Sequence, residues 1–238
     1  MIKKQTFKLL TLLFVFGTIS ISAQELVAPS YGFSHSETAY ITLADGTEIN
    51  GTIKDIDRDE GLIEFIKLQD GTGKKHKLKP EDIKFMYLPP SGLDNLGKKL
   101  NFVSDFKKWN DEKLNQTHLN AGYAYFETTD VKIKKKNTKL LMQLLNPSFS
   151  KEFRIYCDPY AKKTASLGVG GVKFVGGDIK SFYVAKKDEP AFLLKKKDYK
   201  KEFVPLWKSC EKLIAESSAD PKWTDLTKHA ITYSECAQ

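Results

Sequence analysis

The chain has 238 residues, 41% of them apolar, and 38 Lys and Arg against 30 Asp and Glu give it a formal charge of +8. That length suits one large domain or two small ones. Three cysteines permit one disulfide and exclude a disulfide-dense scaffold.

The first residues predict a cleaved secretory signal. Lys3, Lys4 and Lys8 form a positive start, residues 9–21 an apolar stretch, and the small-x-small pattern ending at Ala23 a processing site before Gln24. The apolar stretch is shorter than the roughly 20 residues a spanning helix needs, so no transmembrane segment is expected. A lipid anchor would need a cysteine just after the cut, and the first cysteine is Cys157. Loss of Lys3, Lys4 and Lys8, with no acid, lowers the charge from +8 to +5. Lysine runs such as 132–136 and 194–201 then suit solvated faces. The expected location is the periplasm or the cell exterior, where nucleic acid is no partner.

Residues 24–36 are expected to be a flexible N-terminal segment, and a small β barrel is predicted over 37–90. Ile41 and Leu43 alternate with polar neighbours, as do Ile63 and Phe65, and this is the period of a half-buried strand. Asp45-Gly46 and Asp70-Gly71 are hairpin turn signals between such runs. Pro89 and Pro90 end the pattern, because proline cannot donate to a ladder. Across these residues Ile41, Leu43, Gly46, Gly51, Ile53 and Asp57 resemble the first motif of Sm-like and SH3-like small barrels. The resemblance implies a barrel and no activity. The Asn expected shortly after Asp57 and the basic-Gly signature of the second motif are missing, so RNA binding does not carry over.

The remainder, 91–238, predicts an α+β domain with an antiparallel sheet and a C-terminal helical pair. Leu93, Leu96, Leu100, Val103 and Phe106 recur at helical spacing. Residues 123–128 alternate with bulky groups on both faces, and Tyr123, Tyr125 and Phe126 are candidate contact residues for a partner. The stretch 139–146 is apolar enough for helix or strand, closed by Asn146-Pro147, and 152–157 reads as a strand closed by Asp158-Pro159. Phe203, Leu206, Trp207, Cys210, Leu213 and Ile214 form one helical stripe, started or kinked by Pro205. Trp223, Leu226, Ala230 and Tyr233 form a second, after Pro221. Both cysteines of these segments favour a Cys210–Cys236 disulfide, with Cys157 left free. Spacing alone also permits two unpaired core cysteines.

Five glycines fall within 168–177, a density that raises the question of a phosphate loop. A P-loop would need Lys and Ser or Thr where Gly177 and Asp178 stand, and an acid there repels phosphate. A dinucleotide fingerprint G-x-G-x-x-G begun at Gly168 has Lys173 in place of its last glycine, and both phosphate motifs need a following helix, whereas 179–185 reads as a strand. A hairpin of 172–175 with 179–185, turning at Gly176, Gly177 and Asp178, is the expectation. Asp55, Asp57 and Asp59 lack the Gly and Glu a calcium loop places at its sixth and twelfth positions, and suit a charged hairpin tip. The histidines are scattered singly, with no metal spacing, and no nucleophile elbow is present. No cofactor and no catalytic residue is therefore predicted.

The blocks LLNPSF, YCDPYAKKT, GGVKFVGGDIKSFYV and YSEC resemble a set of secreted proteins of unknown function from the Bacteroidota. The resemblance implies location and fold. The function expected is that of a non-enzymatic binding or interaction protein of the cell envelope. The alternatives are a hydrolase with a site assembled from distant residues, or a small-ligand carrier.

Overall fold

A computed structural model describes residues 26–91, 113–163 and 179–237. The signal segment with Ala23 and Gln24, the helical pattern of Leu93, Leu96, Leu100, Val103 and Phe106, and the glycine-rich 166–178 lie outside the described residues.

The chain is α+β. Among the described residues ten strands make one mostly antiparallel, open sheet: β1 (Thr38–Leu43), β2 (Glu48–Asp59), β3 (Leu62–Asp70), β4 (Lys75–Leu78), β5 (Ile83–Leu88), β6 (Ala124–Ile133), β7 (Lys136–Gln143), β8 (Phe153–Cys157), β9 (Ser181–Lys186) and β10 (Ala191–Lys195). Among the described residues the helices are α1 (Gln116–Asn120), α2 (Tyr199–Trp207), α3 (Glu211–Ser217) and α4 (Leu226–Cys236). Strand order is β4-β3-β2-β1-β5-β6-β10-β9-β8, with β7 paired to β6.

The predicted hairpin turns form where their chemistry demands. Asp45 Oδ1 accepts from Thr47 N at 2.8 Å, and Gly46 takes φ +89°, a region glycine enters without strain. Asp70 Oδ1 accepts from Thr72 N at 2.9 Å and Lys74 N at 3.1 Å, which shapes the β3–β4 turn. Gly51 has a different reason to be glycine. A Cβ there would stand 2.3 Å from Gln69 O in the adjacent strand. Register shifts on either side of Lys54 and at Asp57/Arg58 bend β2, as bulges do. Ile41, Ile53, Ile66, Leu68 and Met86 then meet inside the curl with Phe33 and Phe126.

The N-terminal curl is not a closed barrel. One edge of β5 pairs with β1, and the other pairs with β6 through Tyr87↔Tyr125 and Met86↔Phe126. The edge that closure would need is occupied, so the sheet continues past Pro89 and Pro90 into the second half of the chain.

In that half, the stretch of undecided period is strand β7. Beyond it Leu144 bridges Tyr156, so β8 returns beside the end of β7. Asn146 fixes this corner. It is fully buried, donates to Phe149 O at 3.2 Å and Phe153 O at 2.7 Å, and accepts from Ile155 N at 2.8 Å. All of its buried polar capacity on that side is matched, as burial requires.

β9 lies between β8 and β10. Phe182, Tyr183 and Val184 are paired on both sides, which leaves them no edge for the 172–175 strand predicted as their hairpin partner. The strand is buried on both faces: Phe182 and Val184 pack in the core that holds the helices, and Tyr183 and Ala185 pack in a separate core with Tyr87, Tyr125 and Tyr156. Two-sided burial is why Phe182, Tyr183, Val184 and Ala185 follow one another as an unbroken apolar run.

The single helical stripe predicted over 203–214 is split. Pro205 sits inside α2, and Cys210, extended at φ −119°, ψ 90°, separates α2 from α3. α2 also starts earlier than its stripe suggested, because Tyr199 in the lysine-rich run is buried. Trp207, Phe203, Leu213, Leu226 and Ala230 pack on Phe153, Ile155 and Val184.

Cys210 and Cys236 stand at disulfide distance, with Cα atoms 5.5 Å apart, and Cys157 is free. The bond joins the start of α3 to the end of α4 and closes a 26-residue separation. Reduction, or Cys236→Ser, is expected to cost about 2–4 kcal/mol, read as a lower urea midpoint. An unchanged midpoint under dithiothreitol would count against the bond.

Candidate functional site

Three tyrosines stand in register across three strands. Tyr40 of β1 pairs with Tyr87 of β5, and Tyr87 pairs with Tyr125 of β6. Each lies between smaller or aliphatic and apolar neighbours that point into the N-terminal curl, Ala39 and Ile41, Met86 and Leu88, Ala124 and Phe126. Strand alternation therefore puts the tyrosines together on the opposite face.

α1 covers part of that face. Asn115 caps it by accepting from His118 N at 3.2 Å, and Leu119 is its buried anchor. Tyr87 OH accepts from Asn115 N at 2.8 Å, which ties the helix start to the ladder. His118 thereby stacks on Tyr40 with ring centroids 4.1 Å apart, and lies 5.0 Å from Tyr87 and 5.4 Å from Tyr123. Tyr40, His118 and Tyr123 are all partly exposed, and together they form a continuous aromatic surface.

Below that surface the ladder ends in a polar network. Tyr125 packs 5.0 Å from Tyr87, and its hydroxyl donates to Glu127 Oε2 at 3.3 Å. Tyr156 OH donates to Glu127 Oε1 at 2.7 Å, and Arg154 Nη1 donates to the same oxygen. The side chains of Arg154 and Glu127 are 21% and 15% exposed, so the carboxylate has little water and depends on these donors. Burial first, and then the Glu127 charge, raises both tyrosines well above the ordinary phenol range. They remain protonated donors, and the network is a brace rather than a nucleophile.

Burial also lowers the His118 pKa, which leaves a neutral ring to stack at neutral pH. His229 behaves alike on the helical side. Burial lowers it from 6.5, with Asp225 opposing and Lys228 adding to the shift. Its Nδ1 is 2.7 Å from Tyr199 OH, which accepts from Trp207 Nε1 at 3.3 Å, so the phenol hydrogen is left to bond the imidazole. Both histidines bind fewer protons folded than unfolded. Their contribution is complete above the unfolded value near 6.5 and is lost as pH falls from there toward the lowered folded values. Urea midpoints should therefore drop between pH 7.5 and 5.5, and the drop should shrink in His118→Phe.

Of the predicted contact residues, only Tyr123 belongs to the exposed surface. Tyr125 is 6% and Phe126 4% exposed, because adjacent residues of β6 point into two separate cores. Tyr40, Tyr87 and His118 were missed. The signal available was an aromatic set between apolar residues in three strands, but the pairing of those strands is long-range. Among the described residues no cluster of His, Cys, Asp and Glu could hold a metal ion, and no helix is long and apolar enough to cross a membrane. Comparison with protein-family models, curated proteins and solved structures finds no match.

Proposed function

We propose that this chain is an exported, non-enzymatic interaction protein of the cell envelope that binds a protein partner through the Tyr40, His118 and Tyr123 surface. The observation that supports it is the stack of Tyr40 on His118, partly exposed yet held from beneath by Tyr87 and the Glu127 network. Tyrosine gives large, amphipathic contact area with few rotamers to immobilise, and braced aromatics are the residues that dominate protein interfaces. The core beneath that surface is filled by Tyr125, Met142, Tyr156 and Tyr183, which favours surface binding over carriage of a ligand inside it. We read β1 to β5 as an opened relative of the SH3-like and Sm-like barrels, in keeping with Ile41, Gly46, Gly51 and Ile53.

The test is capture from envelope extracts, with wild type and a Tyr40→Ala, Tyr123→Ala double variant as baits. A partner held by wild type should be recovered at least about tenfold less by the variant, as truncation of two interface anchors implies. Equal recovery of the same proteins by both baits would refute the assignment. Mass spectrometry of the protein from the periplasmic or secreted fraction should find Gln24 as its first residue.

A further inference from the structure

Between the β2–β3 turn and the ends of β7 and β8, a small cavity is lined by Tyr31, Arg58, Gln143, Cys157, Gly61 and Pro159, among others. Its volume is about 20 Å³, against the 10–15 Å³ or so that one water needs, so it holds a single small occupant and no organic ligand.

The walls are rigidly set. The β2–β3 turn has positive φ at Glu60, 48°, and at Gly61, 94°, the conformation of a two-residue hairpin turn. It approaches the β8 end so closely that a Cβ on Gly61 would stand 2.3 Å from Pro159 O.

Two donors in these walls have no partner. Gln143 is 5% exposed. Its Oε1 accepts from Ser30 N at 3.1 Å, which fixes the amide so that Nε2 is the free end, and Nε2 is buried and unbonded. Arg58 donates from Nη1 to Gly61 O at 3.1 Å, while its Nη2 is buried and unbonded. An unmet buried donor costs about 1–3 kcal/mol and more when charged, so native structures supply it with a partner.

No described anionic side chain answers the charge, and the guanidinium carbon lies 5.9 Å from the centre of the Phe33 ring. Among the described residues no carboxylate forms an ion pair with Arg58. Asp57 Oδ1 accepts from the Arg58 backbone N. Asp158, near the opposite wall, is engaged by Ser181 Oγ at 2.5 Å and Tyr160 N at 3.0 Å. Tyr31 and Cys157 face Arg58 as neutral acids: burial raises the phenol above its usual range and pushes the thiol to about 11. Neither supplies a counter-charge at neutral pH.

We infer that this cavity is a site for one small monovalent anion of halide size, accepting hydrogen bonds from Arg58 Nη2 and Gln143 Nε2. The anion supplies the charge that Arg58 lacks and accepts from both orphan donors. It also locks the Ser30 segment and the β2–β3 turn to β7 and β8.

Bromide is the probe. Crystals of the protein grown or soaked in sodium bromide should show an anomalous peak within hydrogen-bond distance of both nitrogens. Thermal melting at constant ionic strength should show a saturable rise in Tm when gluconate, too large for the cavity, is replaced by bromide. Gln143→Glu keeps an acceptor for Ser30 N and places a carboxylate beside Arg58. That variant should fold, lose the bromide peak and lose the bromide-specific Tm rise; Arg58→Gln should lose both signals as well. A peak without anomalous signal, meaning a water, would overturn the inference. So would a bromide response equal in wild type and Gln143→Glu.

Discussion

Trp207→Ala is expected to lower stability by about 3–5 kcal/mol. The side chain is fully buried, lies 4.7 Å from Phe153 and 5.3 Å from Tyr233 between ring centroids, and is the indole through which α2 grips β8. Truncation leaves a cavity that the sheet cannot close, because Phe153 is held by its own ladder to Lys186. It also removes the Nε1 donor from Tyr199 OH, and so loosens the bond to His229. Against a total stability of about 5–15 kcal/mol for an ordinary domain, the loss is a large fraction of what holds the fold. Urea unfolding with an unchanged slope and a much lower midpoint is the expected result. A loss below about 1 kcal/mol would show that the helices do not rest on the sheet as described.

Arg154→Met is expected to cost about 3–5 kcal/mol, because it leaves the Glu127 carboxylate buried without its cation. The two tyrosine donors remain, but neither brings a positive charge. The double variant Arg154→Met, Glu127→Leu removes both charges and should recover most of the loss, since a buried ion pair replaced by apolar groups is often neutral in its effect. This non-additivity separates the proposed brace from simple packing. If the double variant were as unstable as the sum of its parts, Glu127 would have no dependence on Arg154. The brace also carries the aromatic surface, so Arg154→Met should weaken partner capture even where the protein remains folded.

Local chemistry made several elements legible in the sequence. Asp45-Gly46 and Asp70-Gly71 announce turns through side chains that bond their own backbone, and the alternation of Ile41, Leu43, Ile63 and Phe65 announces strands. The stripe of Leu226, Ala230 and Tyr233 announces α4, although the helix begins only at Leu226 and Trp223 stands in a 3-10 turn before it. What was not legible depends on pairing between distant segments. The five N-terminal strands carry a small-barrel pattern, but whether β5 closes on β4 or gives its edge to β6 depends on residues 124–127, far along the chain. Tyr199 was hidden in a lysine run, because one buried residue among solvated neighbours carries little periodic signal. Tyr40, Tyr87 and Tyr125 become a ladder only once β1, β5 and β6 are known to be adjacent. The same holds for Arg58 and Gln143, whose unmet donors are a property of three-dimensional burial.

The aromatic surface is the central claim, and site-specific photocrosslinking in the source cells tests it most directly. Benzoylphenylalanine placed at Tyr123 should yield a discrete adduct with a partner protein. The same group placed at Val204, an apolar residue of α2 that is 48% exposed, should yield none. Absence of any adduct from Tyr123, or the same adducts from both positions, would contradict the account.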